Sequence, residues 1–241
     1  MGDGATQDQP WTTEGQEKRA AVQALFSNIA GKYDAVNSIM SLSMHHSWRR
    51  NAVEMLELHE GDATLDVCCG TGDFMVPLFD KVGADGLVAG IDFCLPMLKV
   101  SQEKLHTHRI SLGDACRLPV ASEVVDAVTV GWGIRNVPDI DLAHQEVFRV
   151  LRPGGRFVSI DCARPKNPFL RWLSRLVTGT VIPLIGRLTG AKTAYTYLPK
   201  STDRFLSRAE LKASMERAGF QDVIFRDLFL GNICIHWGKK S

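Results

Sequence analysis

Several things are missing from this chain of 241 residues, and each absence narrows its class. No run of eighteen uninterrupted apolar residues is present, which excludes a helical membrane span, and the first twenty residues carry no apolar signal core. An excess of one charge is missing too. Against 28 Lys and Arg stand 27 Asp and Glu, a formal +1, which argues against a general nucleic-acid partner. The six cysteines, at 68, 69, 94, 116, 162 and 234, form no C-x-x-C pair, and no histidines cluster at zinc spacing, so no structural metal is expected. Adjacent thiols such as Cys68 and Cys69 rarely bridge, and all six read as small buried hydrophobes in a reducing cytoplasm.

What is present suits one large α/β domain: 45% apolar and 23% charged residues, in a length that supports a single core. Residues 1–16 are polar without periodicity and read as a flexible tail, leaving 17–241 as one domain. Residues 17–60 form a helical amino-terminal lid. Ala20–Ile29 places Val22, Leu25, Phe26 and Ile29 on one face, and Ser47–Leu58 does the same with Trp48, Ala52, Met55 and Leu56. Between them Gly31–Asn37 reads as too polar and interrupted for a plain linker helix. Short apolar runs then alternate with helical stretches: Thr64–Cys68, Leu87–Ile91, Ile110–Leu112, Val125–Val130 and Gly155–Ile160 as strands, Pro96–Leu105 and Leu142–Leu151 as helices. Arg152-Pro-Gly-Gly-Arg156 reads as a stop and turn. Such alternation predicts a parallel sheet with right-handed crossovers. The end differs. After a helix at Ser207–Ala218, the runs Gln221–Leu228 and Ile233–Trp237 are joined by a turn too short for anything but antiparallel pairing. An insertion at 163–200 is too long for a bare loop and should be helical or functional.

The chemistry begins at Leu65-Asp-Val-Cys-Cys-Gly-Thr-Gly-Asp73, a strand running into a Gly-x-Gly turn. Gly70 and Gly72 allow close backbone approach to a ligand. A dinucleotide fingerprint needs a third glycine where Met75 stands, which disfavours a nicotinamide dehydrogenase. Asp92 closes the second strand, and an acid there accepts hydrogen bonds from both hydroxyls of a ribose. Gly113-Asp-Ala115 closes the third, where Asp114 can accept from an adenine amine and the Ala115 amide can donate to a ring nitrogen. Three strand ends in agreement point to an adenosyl ligand, although each acid alone can be a helix cap. Asp66 and Asp73 can meet a cationic amino group, or Asp73 can cap the following helix.

From about Ile29 to Lys240 the chain resembles the ubiquinone/menaquinone C-methyltransferase family (UbiE/MenG). The resemblance is carried by Lys32-Tyr-Asp34, Asn37, Ser41, His45 and Trp48-Arg49, by Leu65-Asp66 with Gly70-Thr-Gly-Asp73, and by Gly133-Ile-Arg-Asn-Val137. Arg149-Val-Leu-Arg-Pro-Gly-Gly155, Tyr195, Tyr197-Leu198, Ala218-Gly-Phe220 and Ile235-His236 extend it. It implies a class I methyltransferase fold: a Rossmann-like sheet with a carboxyl-terminal antiparallel hairpin. It also implies S-adenosyl-L-methionine as cofactor, held by residues at Thr71, Asp92, Asp114 and Ala115. The implied reaction is C-methylation of a prenylated quinol, converting demethylmenaquinol to menaquinol. Two departures stand out. Cys68-Cys69 replaces the small residues of many ubiquinone-pathway members, as in members confined to menaquinone, and Ser43 stands where many have glycine. Alternatives are a ubiquinone-pathway benzoquinol, a phospholipid amine or another phenol as acceptor, and, outside enzymes, a noncatalytic adenosyl-binding scaffold.

A quinol carbon becomes nucleophilic as a neighbouring hydroxyl loses its proton, which from a phenol-like pKa of about 10 costs about 4 kcal/mol at neutral pH. Arg135, directly after the fourth strand, is the candidate to stabilise that charge, and Asn136 the candidate to orient the oxygen. The alternative for Arg135 is an ion pair with Asp139 or Asp141. The proton acceptor is left open: His45 matches the family pattern, and His46, His144 and His236 carry no decisive local signal. Asp34, Tyr33, Tyr195 and Tyr197 can line the pocket, although each reads first as a structural or positioning group. From Cys162 to Thr202 there is no Asp or Glu, against Arg164, Lys166, Arg171, Arg175, Arg187, Lys192 and Lys200. Phe169, Trp172, Leu173, Leu176 and Val177 share one helical face there, and Pro183 interrupts Val181–Leu188. This reads as an element that meets an anionic membrane surface transiently, peripherally and from the cytoplasm. The alternative is that this face is ordinary core. A homo-oligomer is compatible with the sequence.

Overall fold

A computed structural model describes residues 15–107, 109–181 and 192–241. Two expectations from the sequence lie outside them: the tail through residue 14, and the Pro183 interruption. The elements follow in order: α1 (Gly15–Ile29), α2 (Tyr33–Ser41), α3 (Met44–Glu54), β1 (Ala63–Val67), α4 (Met75–Val82), β2 (Leu87–Asp92), α5 (Leu95–Leu105) and β3 (Ile110–Leu112). Next come β4 (Val125–Gly131), α6 (Ile140–Val150), β5 (Leu151–Cys162), α7 (Pro168–Leu176), α8 (Lys192–Arg204), α9 (Arg208–Ala218), β6 (Gln221–Leu228) and β7 (Ile233–Lys239).

The seven strands form one sheet in the order β3-β2-β1-β4-β5-β7-β6. Strands β1 to β5 are parallel, and β7 slots between β5 and β6 antiparallel to both. The order reverses at β1, with β2 on one side and β4 on the other, and that reversal opens a crevice at the carboxyl ends of the strands. Alternation along the strands feeds two cores. Leu65, Val128, Val130 and Phe157 face one, whereas Ala127, Val158 and Ile160 face the other beneath Met75 and Leu78. Each such fully buried side chain contributes about 1.5–3 kcal/mol.

The structure corrects three local expectations. Gly31–Asn37 is largely helical: after a short turn at Ala30–Lys32, Tyr33, Val36 and Met40 share a face that packs on Ile29 and Phe26. Its polar residues occupy the other side. Residues 152–155 do not separate helix from strand. α6 runs directly into β5, and the glycines make an irregularity in which the pairing jumps from Val125–Leu151 to Ala127–Arg156. Asp73 does not cap α4, whose preceding residue is Phe74 with no side-chain cap. α9, by contrast, starts on a full capping box between Ser207 and Glu210 and stops at Gly219 in the left-handed region.

α7 buries none of its residues, and Phe169 and Trp172 are 65% and 59% exposed. Its apolar face is therefore not domain core among the described residues. Among those residues no helix is long and apolar enough to cross a membrane.

Candidate active site

The loop after β1 turns on three left-handed residues, Cys68, Gly70 and Gly72. The Gly70 amide donates to Asp92 Oδ2 at 2.9 Å, and the Cys94 amide donates to Asp92 Oδ1 at 2.8 Å. Backbone donors thus hold Asp92 at the end of β2. Burial pushes its carboxyl up to about 6, while those amides pull in the opposite direction. Gly72 is needed for packing. Any Cβ there would lie 2.5 Å from Ser101 Oγ and 2.6 Å from a Leu105 methyl, and its amide closes a turn onto the Cys69 carbonyl.

Gly70, Asp92, Asp114, Ala115 and Asn136 line one cleft at the crevice, with Cys68, Phe93, Met97 and Trp132. Its outer wall comes from the amino-terminal helices: Arg19 and Phe26 of α1 and Tyr33 of α2. The cleft is narrow, about 60 Å³. Thr71 and Gly72 are not on its lining. Thr71 instead donates to Asp34 Oδ1 at 2.5 Å, which ties α2 to the glycine loop. That tie continues as a chain of charges: Lys104 bridges Asp34 and Asp73 at 2.8 and 2.7 Å, and Asp73 faces Arg49 at 3.3 Å. Although burial works against its charge, Arg49 and Lys104 hold the Asp73 carboxyl below the usual range. Asp66 lies buried in the sheet, accepting from Thr129 Oγ1 at 2.7 Å, and desolvation raises it to about 7.

Helix α1 is stitched across three strand ends. Gln23 donates to the Phe93 carbonyl at 3.1 Å, Arg19 meets Asp114 Oδ2 at 2.6 Å, and Lys18 donates to the carbonyls of Arg135 and Val137 at 3.1 and 2.8 Å. Asp114 Oδ1 accepts the Cys116 amide at 2.9 Å, so both oxygens of Asp114 are engaged. Sequence reasoning missed Lys18 and Arg19. Contacts that span about a hundred positions leave no local pattern, and the one signal was a pair of cations early in the first helix.

Arg135 and Asn136 sit side by side in a short helical turn yet face differently. Asn136 reaches the cleft, donates to the Trp132 carbonyl at 3.0 Å and accepts from the Tyr197 hydroxyl at 2.6 Å. Arg135 is buried off the cleft lining, its Nη1 on the Asp161 carboxylate and its backbone amide 3.3 Å from the other Asp161 oxygen. Burial opposes its charge, but Asp161 more than offsets this and keeps the guanidinium pKa raised. Its Nε is buried with no hydrogen-bond partner. The expected alternative partners are engaged elsewhere: Asp139 caps α6, and Asp141 binds Ser214 and Arg217. The acid that ends β5, next to β4, takes the role instead.

The histidines separate cleanly. His45, buried on α3, faces Arg49 through Nδ1 and Ser38 Oγ at 3.3 Å through Nε2. Burial, then the Arg49 charge, lowers it to about 4, so it is neutral at pH 7. His144 on Ser214 and His236 on the Arg208 carbonyl lie off the cleft and are likewise lowered to about 4 by burial. His46 is exposed. Burial raises two phenols, Tyr33 on the cleft lining and Tyr197, which is off the lining and bonded to Asn136.

The model of the ubiE/COQ5 methyltransferase family matches residues 12–240. A demethylmenaquinone methyltransferase of Staphylococcus haemolyticus is 39% identical over 233 residues, covering 95% of this chain and 98% of that protein. One from Desulfitobacterium hafniense is 38% identical over 233 residues, covering 94% and 92%. Among solved structures, an SAM-dependent methyltransferase from Thermotoga maritima superposes with a TM-score of 0.65 at 19% identity, over 90% of this chain and 99% of that one. A phosphoethanolamine N-methyltransferase of Haemonchus contortus, in complex with S-adenosyl-L-methionine, gives 0.60 at 15% identity, over 81% and 52%. These two likenesses concern the fold.

Proposed function

The chain belongs to the ubiE/COQ5 methyltransferase family, and on that premise we propose that it transfers the methyl group of S-adenosyl-L-methionine to a ring carbon of demethylmenaquinol. The observation that carries this reading is the near full-length identity to proteins named for that acceptor, joined to a cleft bordered by Asp92, Asp114, Ala115 and Asn136. S-adenosylmethionine supplies the electrophilic methyl. The residues fit its adenosyl half: Asp92 is an acceptor fixed by two amides, and Asp114 and Ala115 offer an acid and an amide one strand further on.

Toward the acceptor, Asn136 and Tyr197 present a paired amide and phenol able to orient a quinol oxygen. Arg135 acts behind them in this reading. Its charge, buried in a poorly screening interior, favours a developing phenolate, and its pairing with Asp161 holds the Trp132–Asn136 turn. Residues 17–60 serve as the lid. The cleft is walled by Arg19, Phe26 and Tyr33, so in this reading α1 and α2 open to admit the cofactor. Their return excludes water while charge is neutralised.

The exposed face of α7 supports a second part of the proposal, transient contact with a membrane from which a lipid-tailed quinol is taken. Phe169→Ser with Trp172→Ser should abolish most binding to vesicles and leave S-adenosylhomocysteine affinity unchanged. Equal vesicle binding by this variant removes α7 from membrane contact. The activity itself is tested by radiolabelled methyl transfer to demethylmenaquinol, a demethylated benzoquinol, a phospholipid amine and a simple phenol. Label in the naphthoquinol alone is expected, and preference for any other acceptor overturns the assignment.

A further inference from the structure

A second cavity, of about 540 Å³, lies beyond the carboxyl end of β5, between α7, α9 and the β6–β7 hairpin, and shares no lining residue with the cleft described above. Five cations border it: Arg164, Lys166, Arg171, Arg175 and Arg208. Among the described residues that line it the single carboxylate is Asp161, which is committed to Arg135. Several of the cations are held in place by groups that leave positive charge on the cavity. Arg164 donates to the carbonyls of Asp203 and Phe205 at 2.9 and 3.1 Å, Arg171 Nε donates to the Pro165 carbonyl at 3.0 Å, and the Lys166 ammonium sits 5.3 Å from the centre of the Phe225 ring. Arg208 is balanced by Asp227 on one edge and donates to the Arg164 and Gly231 carbonyls at 2.7 and 2.8 Å.

Carbonyls and a ring, with no direct carboxylate bond among the described residues, fix Lys166 and Arg171, and Arg164 likewise although the Glu210 charge acts on it, so an anion between them relieves their mutual repulsion. A concave site of one sign concentrates such an anion, and planar guanidinium forks match the oxygens of a phosphoryl group. The volume greatly exceeds a bare phosphate and leaves room for an organic portion. We propose that this cavity binds the phosphoryl group of a phosphate ester, either the headgroup of a phospholipid reached beside α7 or a soluble phosphate ester. Which acceptor the cleft methylates has no bearing on this site.

The test titrates the full chain with sn-glycerol 3-phosphate and with inorganic phosphate by calorimetry, at ionic strength held constant with sodium chloride. Saturable binding is expected, at least tenfold weaker in Lys166→Gln/Arg171→Gln and unchanged in the charge-matched surface variant Lys99→Gln/Arg109→Gln. Lack of saturable binding to the wild type, or equal affinity in all three proteins, overturns the site. Unchanged S-adenosylhomocysteine affinity certifies the fold of each variant. Should the double variant fail to fold, Lys166→Gln alone, at an exposed position, carries the same expectation with about a threefold loss. A second arm distinguishes the sources, using vesicles of phosphatidylglycerol in phosphatidylcholine. Release from these by glycerol 3-phosphate assigns the cavity to a lipid headgroup, whereas glycerol 3-phosphate binding that leaves vesicle binding unaltered assigns it to a soluble ester.

Discussion

Two loops at the same edge of the sheet treat buried charge in opposite ways. After β1 and β2, the acid Asp92 is held by the amides of Gly70 and Cys94 and borders the cleft. After β4, the cation Arg135 is held by a carboxylate, Asp161, and is turned off the cleft. Main-chain donors satisfy an anion without cancelling its charge and leave lone pairs for a ligand. A counter-ion satisfies a cation by cancelling most of its field. The first arrangement suits recognition of a ligand. The second holds a turn, and in the proposed reaction it acts through what remains of its charge and through its neighbour Asn136.

The strongest way to break that contrast is Arg135→Gln. Removing one partner of a buried pair typically costs about 3–5 kcal/mol, because the other charge is left buried alone. A loss of that size is expected in denaturant unfolding, with Arg135→Lys intermediate because it lacks the planar fork. Arg135→Gln with Asp161→Asn should recover most of the stability. Turnover of the double variant then decides the remainder. If it stays a hundredfold low with cofactor affinity intact, the cation acts on the quinol; wild-type turnover reduces the pair to a brace.

On the cofactor side the effect should appear in affinity instead. Asp92→Ala is expected to weaken S-adenosylhomocysteine by about 1–3 kcal/mol through lost hydrogen bonds. Calorimetry with unchanged affinity in a folded variant removes Asp92 from the site.

The sheet was readable because each strand is a short apolar run ending where a polar group is needed. β1 to β4 lie within a residue of their expected bounds, and Asp92, Asp114 and Ala115 all reach the cleft. The terminal hairpin followed from the short turn between β6 and β7. Long-range pairing was not readable. Nothing near Arg135 marks Asp161, which approaches only because β4 and β5 are neighbours. Polar Tyr33-Asp-Ala-Val36 hid a helix whose apolar side is only three residues wide. Thr71 matched the motif, yet its hydroxyl binds Asp34 of α2. Such a contact belongs to the joint between α2 and the glycine loop, which local sequence does not encode.

A smaller effect sharpens the comparison through pH. Burial raises the Asp92 carboxyl to about 6 in the folded protein. A carboxyl raised in this way stabilises the fold fully below its unfolded pKa and loses that contribution as pH rises through about 6. Ligand hydroxyls prefer the ionised form, so S-adenosylhomocysteine affinity should move the other way, falling as pH drops through about 6. If the ligand lowers this pKa by about one, affinity at low pH falls by about tenfold. Asp92→Asn should flatten the affinity dependence and remove this group's share of the stability dependence, leaving the share of Asp66, whose carboxyl burial raises to about 7. Arg135 remains charged throughout this range, so Arg135→Lys should leave them in place.

The smallest effect concerns the joint between α1 and the cleft. Arg19 meets Asp114 at the position where an adenine amine is expected to donate, and both side chains remain about a third exposed. An ion pair in that setting contributes about 0–1 kcal/mol. If Arg19 occupies the acceptor that adenine needs, Arg19→Gln should tighten S-adenosylhomocysteine binding by up to about fivefold and make the protein less sensitive to salt, because less of the competing pair must be broken. Lys18 is a control on the same helix. It donates to the Arg135 and Val137 carbonyls, whereas the Asp114 carboxylate is met by Arg19, so Lys18→Gln should loosen α1 while the Arg19–Asp114 pair stays in place. Hydrogen exchange in α1 should therefore rise in both variants, while affinity rises only in Arg19→Gln. Weaker binding in Arg19→Gln means instead that Arg19 turns onto the bound cofactor, and the lid then contributes directly to recognition.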